Sequence, residues 1–250
     1  MTEGKKKQPE ELAERLVTHG ATRRDVLLGT AQGVVVAVAS GLSIRPGAVA
    51  AQDSGGTKTL QLDKKKTAVL AMDFQVVTVG MDAMTKERNV VGKAKTALEA
   101  ARKAGLLVVL VHITFRPGYP EVSPRNKMFQ MFAKKGMFLA SDENSRIDPE
   151  IGPKEGDVLV NRPRVNPFYD SDLATILDSN DIDTLVMFGI ATNWVVEAAA
   201  RHASDADYRI VVLEDCCAAP SVEQHDASIN YIQRWIGEIH TSRDFVAAVA

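Results

Sequence analysis

The sequence predicts an α/β fold with a central, mostly parallel sheet and helices on both of its faces. From residue 67 onward, short apolar runs alternate with segments whose apolar residues have helical spacing. The runs are apolar at nearly every position, which is typical of parallel strands that are buried on both faces. Strands and helices that alternate in this way are joined by right-handed crossovers.

Apolar runs of four to seven residues are predicted as buried strands: residues 67–72, 106–112, 157–160, 184–188 and 209–213. A shorter run around Ile239 predicts a sixth strand. Ligands of parallel sheets bind beyond the carboxyl ends of the strands. The residues at or just after these ends are therefore the first candidates for a site, and they are Asp73, His112, Arg162, Gly189 and Asp215.

Helices are predicted between the strands from the spacing of apolar residues. The first ends before Gly105, a residue type that commonly ends helices. The predicted helices cover residues 86–104, 172–178, 193–204, 221–235 and 242–249.

The composition is that of an ordinary soluble globular protein, since 45 % of the 250 residues are hydrophobic and 25 % are charged. The formal net charge is −2, which disfavours a nucleic-acid partner because such proteins usually carry a basic excess. The two cysteines, Cys216 and Cys217, are adjacent and cannot form a disulfide framework. We expect both to be free thiols.

The first fifty residues are typical of a twin-arginine export signal. Arg23 and Arg24 stand just before a charge-free and only mildly apolar stretch at residues 26–44. An Ala-x-Ala cleavage site follows at residues 48–50, and we expect cleavage after Ala50.

This signal predicts a periplasmic or secreted protein with no stable membrane association after cleavage. The alternative is an uncleaved signal that anchors the protein, since about 20 apolar residues suffice to span a bilayer. The predicted organisation is an export signal at residues 1–50, a linker at residues 51–66 and a folded domain at residues 67–250.

Four segments carry a family resemblance: residues 68–75 (AVLAMDFQ), 162–168 (RPRVNPF), 189–197 (GIATNWVVE) and 211–218 (VVLEDCCA). In order and spacing they resemble the isochorismatase-like superfamily, also called the cysteine hydrolases. The resemblance implies a three-layer α/β/α sandwich. It also implies a homo-oligomer, because members of this family are frequently oligomeric.

The usual catalytic set of that family is an Asp, a Lys and a Cys. The resemblance places Asp73 at the acid–base position and Arg162 at the lysine position, and implies catalytic roles for both. At the position of the cysteine nucleophile stands Val195, which has no group that can attack a substrate. Cys216 and Cys217 follow the next strand, where the family commonly has a non-catalytic cysteine, so a thioester mechanism is disfavoured.

A pair of arginines suggests an anionic ligand. Isochorismatases, which also lack the cysteine, carry Gln-Pro-Gly and an Arg nine positions after the Gln for substrate carboxylates. Here Arg116 replaces the Gln and Arg125 keeps the spacing. Because arginine binds carboxylates in a bidentate manner, we expect Arg116, Arg125 and Arg162 to face Asp73 and to bind a small anion. The alternative is that Arg116 and Arg125 are surface residues of a loop.

The segment 189–192 resembles the turn of the family that contains a non-proline cis peptide, expected here at the Ile190–Ala191 bond. Backbone N–H groups of this turn are expected to form an oxyanion hole. The alternative for Trp194 is a place in the core or at a subunit contact. The expected pocket residues of the turn are Ala191, Asn193, Trp194 and Val195.

The leading interpretation is an exported, isochorismatase-like hydrolase that binds a small anionic molecule and acts on it with water. We expect no metal and no cofactor, because the five histidines are scattered and no glycine-rich phosphate loop is present. The alternatives are a non-catalytic pseudoenzyme with a binding or structural role, and a cytosolic isochorismatase-type enzyme with an N-terminal membrane anchor.

Overall fold

The computed structural model describes residues 59–81 and 83–250 of the chain. The predicted export signal and the first half of the predicted linker, residues 51–58, lie outside these residues. Within the described ranges, no helix combines the length and the apolar character that crossing a membrane requires.

Six parallel strands form one sheet in the order β3-β2-β1-β4-β5-β6, which confirms the predicted fold class. Every residue of the central strands β1 and β4 is buried, as their continuous apolar sequences require. The strands are β1 (Thr67–Met72), β2 (Leu107–His112), β3 (Val158–Asn161), β4 (Thr184–Gly189), β5 (Arg209–Leu213) and β6 (Glu238–His240).

The described α-helices are α1 (Val76–Val79), α2 (Ala83–Glu87), α3 (Val90–Lys103), α4 (Lys127–Lys134), α5 (Leu173–Ser179), α6 (Glu197–Asp205), α7 (Val222–Trp235) and α8 (Ser242–Val249). The predicted helix at residues 86–104 was wrong at its start, because Asn89 adopts a left-handed conformation with φ 51° and separates α2 from α3. A π-helical turn, Thr192–Val196, precedes α6. Helix α4 was not predicted.

The strand order places a topological switch point between β1 and β4. From β1 the chain moves outward through β2 and β3, and it then returns to the other side of β1 to form β4. Loops that leave neighbouring strands in opposite directions open a crevice at such a point. The crevice lies between Asp73, which follows β1, and Ala191, which follows β4.

Two apolar clusters fill the domain. The larger one packs the sheet against its covering helices. The smaller one lies beyond the carboxyl ends of β1 and β2 and consists largely of aromatic rings, with members Ile113, Phe115, Phe129, Phe132 and Phe138. Its rings meet mainly edge to face, as in the Phe132–Phe138 pair with centroids 5.0 Å apart.

The end of the predicted linker lies against this domain. Leu60 is only 3 % exposed and belongs to the larger cluster. The Arg209 guanidinium donates a 2.6 Å hydrogen bond to the Gln61 carbonyl, and the Lys64 ammonium donates one of 2.8 Å to the Val249 carbonyl. The packed structure therefore begins before Thr67.

Gly189 allows the end of β4 to pass close to β1. A Cβ atom at this position would lie 2.9 Å from Met72 Cβ and closer still to the Met72 carbonyl oxygen. We expect Gly189→Ala to lower the free energy of unfolding by about 1–3 kcal/mol, the usual cost of overpacking, as measured by urea denaturation. The matched control is Gly80→Ala, whose Cβ would make an ordinary 3.5 Å contact. Equal stability of the two variants would contradict this prediction.

Candidate active site

Asp73 lies at the floor of the crevice. It follows β1 with φ 59°, a left-handed conformation that Asp tolerates better than most residues. Its backbone N–H donates a 2.8 Å hydrogen bond to the Val111 carbonyl, and its own carbonyl accepts a hydrogen bond from the Thr78 hydroxyl. Asp73 is only 2 % exposed, so its carboxylate needs a partner inside the protein.

That partner is Arg162, which follows β3 and reaches across the end of β2. Its backbone N–H donates a 2.8 Å hydrogen bond to the His112 carbonyl. In the side chain, Nε donates to Asp73 Oδ1 at 2.9 Å and Nη2 donates to Asp73 Oδ2. The remaining nitrogen, Nη1, donates to the Arg164 carbonyl at 2.6 Å. All three guanidinium nitrogens are thus engaged within the protein.

His112 ends the strand between the two partners. Burial lowers the pKa of its imidazole, the positive charge of Arg162 acts in the same direction, and the carboxylate of Asp73 opposes both. The imidazole is therefore neutral at pH 7. Its Nδ1 atom is buried without a hydrogen-bond partner among the described residues.

The turn after β4 has the predicted cis peptide bond between Ile190 and Ala191. The backbone N–H and the hydroxyl of Thr192 both donate to the Ala218 carbonyl, at 2.7 Å and 2.9 Å. These bonds tie the turn to the segment after β5, which contains Cys216 and Cys217.

The buried side chain of His225 is hydrogen-bonded to this turn. His225 Nδ1 lies 2.8 Å from the Thr192 hydroxyl, and because that hydroxyl donates to Ala218, the imidazole nitrogen is the donor. His225 Nε2 therefore accepts, at 2.8 Å, from the guanidinium of Arg88. Arg88 in turn donates a 2.6 Å hydrogen bond to Glu214. The tautomer of His225 follows from this chain of partners.

The floor opens into a cavity of about 180 Å³. An engineered apolar cavity of about 150 Å³ binds benzene, so the volume suits a group the size of one ring. Apart from the ion pair, the walls are almost wholly apolar. The lining residues are Asp73, Thr78, Met81, Ile113, Met128, Phe129, Phe132, Phe138, Arg162, Val165, Ile190, Ala191, Trp194 and Pro220.

The structure brings together only part of the predicted binding set. Ala191 and Trp194 line the cavity with Asp73 and Arg162. Trp194 is 37 % exposed, so the alternative of a core position was wrong.

Arg116 and Arg125 do not face Asp73, and this expectation was wrong. Arg116 is exposed and pairs with Glu121 at 3.0 Å, because the two lie five residues apart on the same loop. Arg125 is exposed and lines a neighbouring groove.

Asn193 and Val195 lie outside the cavity lining, so their prediction as pocket residues was also wrong. The Asn193 amide donates to Gln224 at 2.9 Å, which directs it toward α7. Val195 is fully buried in the larger apolar cluster, where its aliphatic side chain packs like any core residue.

Sequence analysis missed the aromatic wall of the cavity. Phe129 and Phe132 come from α4, and Phe138 follows four residues after that helix. The spacing of apolar residues in KMFQMFAK was the available signal, since it places Phe129 and Phe132 on one helical face. The guanidinium of Arg164 lies 5.5 Å from the Phe129 ring centroid and helps to fix this wall.

The two thiols are unsuited to catalysis. Cys216 and Cys217 are both fully buried, and burial raises the pKa of each, that of Cys217 to about 12. Since the thiolate is the nucleophilic form, neither reacts readily at neutral pH. Among the described residues, no group of three or more His, Cys, Asp or Glu side chains is arranged to hold a metal ion.

Known proteins resemble this chain in sequence and in fold. A family model described as the isochorismatase domain matches residues 67–244. The chain belongs to the isochorismatase family. The isochorismatase family protein YwoC of Bacillus subtilis (strain 168) is 31 % identical over 191 residues, which cover 76 % of this chain and 98 % of YwoC.

Solved structures of isochorismatase-family relatives share the fold. A cysteine hydrolase from Pseudomonas syringae pv. phaseolicola 1448A superposes with a TM-score of 0.71 at 22 % identity, over 78 % of this chain and 98 % of that one. N-carbamoylsarcosine amidase from Thermoplasma acidophilum has a TM-score of 0.60 at 27 % identity, over 71 % of this chain and 96 % of that one.

The ion pair at the floor of this isochorismatase-family site predicts strong coupling between its partners. Deleting one partner of a buried pair leaves an uncompensated charge, so Asp73→Asn and Arg162→Gln should each lower the free energy of unfolding by about 3–5 kcal/mol. In the double variant, the loss in free energy of unfolding should be smaller than the sum of the two single losses by at least about 1 kcal/mol. Urea denaturation of the four proteins measures this coupling, and additive losses would show that the two side chains do not act as a pair.

Proposed function

We propose that this isochorismatase-family protein is a small-molecule hydrolase that uses water, rather than a thiol, as its nucleophile. The observation that carries the proposal is the Asp73 carboxylate at the floor of an apolar cavity whose described lining residues include neither cysteine. A carboxylate in a pocket that excludes bulk water is suited to activate one bound water molecule.

Asp73 is the general base in this proposal. It takes a proton from a water molecule in the cavity, and the water oxygen bonds to an electrophilic carbon of the substrate. The bond between that carbon and the leaving group then breaks, and the leaving group takes the proton from Asp73. Arg162 is a positioning residue, because its two hydrogen bonds fix both carboxylate oxygens. Ala191 also lines the cavity, and its backbone N–H is the proposed hydrogen-bond donor to the group that the water attacks.

We also propose that the substrate is a small anion, as the family resemblance implies. Arg162 itself is neutralised by Asp73, so it is not the group that attracts this anion. Arg125 lines a groove beside the cavity, and Met128 and Trp194 line both spaces. Arg125 therefore provides a positive charge near the mouth of the cavity.

A second candidate function is binding without turnover. It is favoured by Val195, which stands at the position of the family's nucleophile. It is also favoured by Arg162, because all three of its guanidinium nitrogens already donate hydrogen bonds within the protein. A thermal-shift screen of small carboxylates, amides and esters, followed by turnover assays on each stabilising compound, separates the two functions. Stabilisation without turnover favours the binding protein.

For a compound that is turned over, Asp73→Asn should lower kcat by about 10²–10⁴-fold, the usual contribution of an acid–base group. Asn keeps the shape of the side chain and tolerates φ 59°. The matched control is Asp157→Asn, because Asp157 forms a similar buried bidentate pair with Arg102 outside the cavity. The control should lose stability and keep kcat. Unchanged kcat in Asp73→Asn would leave Asp73 with a structural role only.

We further propose that the protein is exported through the twin-arginine route and cleaved after Ala50. Combined Arg23→Lys and Arg24→Lys substitutions should abolish export, since that route depends on the arginine pair. Cell fractionation measures the loss, and N-terminal sequencing of the exported protein locates the cleavage. An intact N-terminus on exported protein would contradict the cleavage site.

A further inference from the structure

A second depression adjoins the cavity. It is an open groove of about 950 Å³ on the outer side of α4. Met128 and Trp194 line both the groove and the cavity, so the two spaces share a boundary. The groove is lined by Pro124, Arg125, Lys127, Met128, Gln130, Met131, Lys134, Lys135 and Trp194.

Within the described part of the chain, the groove carries four positive charges and no negative one. Its lining contains Arg125, Lys127, Lys134 and Lys135, and no described Asp or Glu belongs to it. All four cations are exposed, and in the described part of the chain none of them forms an ion pair. Most other arginines near the site are paired, such as Arg116 with Glu121 and Arg162 with Asp73.

Helix stability does not explain this cluster. The carboxyl end of a helix attracts cations, and this accounts for Lys134 and Lys135 at the end of α4. Lys127, however, is the first residue of α4, where the partial positive charge of the helix disfavours a cation. Two lysines on an eight-residue helix, with Lys135 just after it and Arg125 just before it, therefore concentrate charge beyond what the helix needs.

The cavity itself is a poor place for an anion. Among the described residues, the charged ones that line it are Asp73 and Arg162, which neutralise each other. A bare carboxylate among the phenylalanine rings would lose its hydration without gaining a partner. An anionic group of a ligand in the cavity would therefore be better placed outside it, on the groove.

We infer that the ligand is amphiphilic, with an uncharged, ring-sized apolar part in the cavity and a carboxylate substituent on the basic groove. This rests on the proposed function and names the substrate class for that site. Trp194 and Met128 line both spaces, so we place the link between the two parts of the ligand beside them. Methionine is well suited to the position of Met128, because its unbranched side chain adapts to ligands of different shape.

The test uses two probes of nearly equal shape, phenylbutyrate and its neutral counterpart phenylbutanol, with binding measured by calorimetry at low salt. We expect the acid to bind about tenfold more tightly, through several partly screened charge contacts. The preference should shrink as ionic strength rises from about 0.01 M to 0.1 M, because the Debye length falls from about 30 Å to about 10 Å.

The groove variant combines Lys127→Gln, Lys134→Gln and Lys135→Gln. It should lose most of the preference for the acid and keep the affinity for the alcohol, because the cavity walls are unchanged.

The matched control combines Lys86→Gln, Lys103→Gln and Lys154→Gln, three exposed lysines outside the groove and the cavity. It has the same net charge as the groove variant and should keep the preference. A preference that survives in the groove variant, or equal affinities in the unmodified protein, would overturn the inference while the proposed function stands. If neither probe binds, the inference fails, whereas the proposed function is decided separately by the thermal-shift screen and the turnover assays.

Discussion

The buried ion pair between Asp73 and Arg162 is the interaction on which the site depends. A carboxylate that is 2 % exposed is tolerable only because a guanidinium holds both of its oxygens. The pair connects the residue after β1 to the residue after β3 across the end of β2, so it fixes three strand ends at once. It also makes the floor electrically neutral, and this permits the apolar walls above it.

The turn after β4 is held independently of any nucleophile. Thr192 is bound to the Ala218 carbonyl and to His225, and His225 is held by Arg88. These contacts shape the backbone around Ala191, and Val195 of the same turn packs into the larger apolar cluster. The turn keeps its form because its supports are polar side chains on other elements.

The cavity and the groove lie on opposite sides of the same short helix. The rings of Phe129 and Phe132 face inward from α4, while its lysines face outward. An amphipathic helix at the mouth of a site therefore separates an apolar compartment from a charged one. Within this family fold, changes in that one segment would alter ligand preference without disturbing the ion pair beneath it.

The sequence by itself determined the sheet, the order of the motifs and the two partners of the ion pair. Continuous apolar runs predict buried strands, and a parallel sheet brings the ends of those strands to one edge, so Asp73 and Arg162 were predictable neighbours. Only the tertiary structure decided which other residues join them. Arg116 keeps the expected spacing but pairs with Glu121, and Val195 keeps its motif position but packs into the core. The reason is that spacing along the chain sets where a backbone runs, whereas the direction of a loop or turn side chain depends on partners from distant segments.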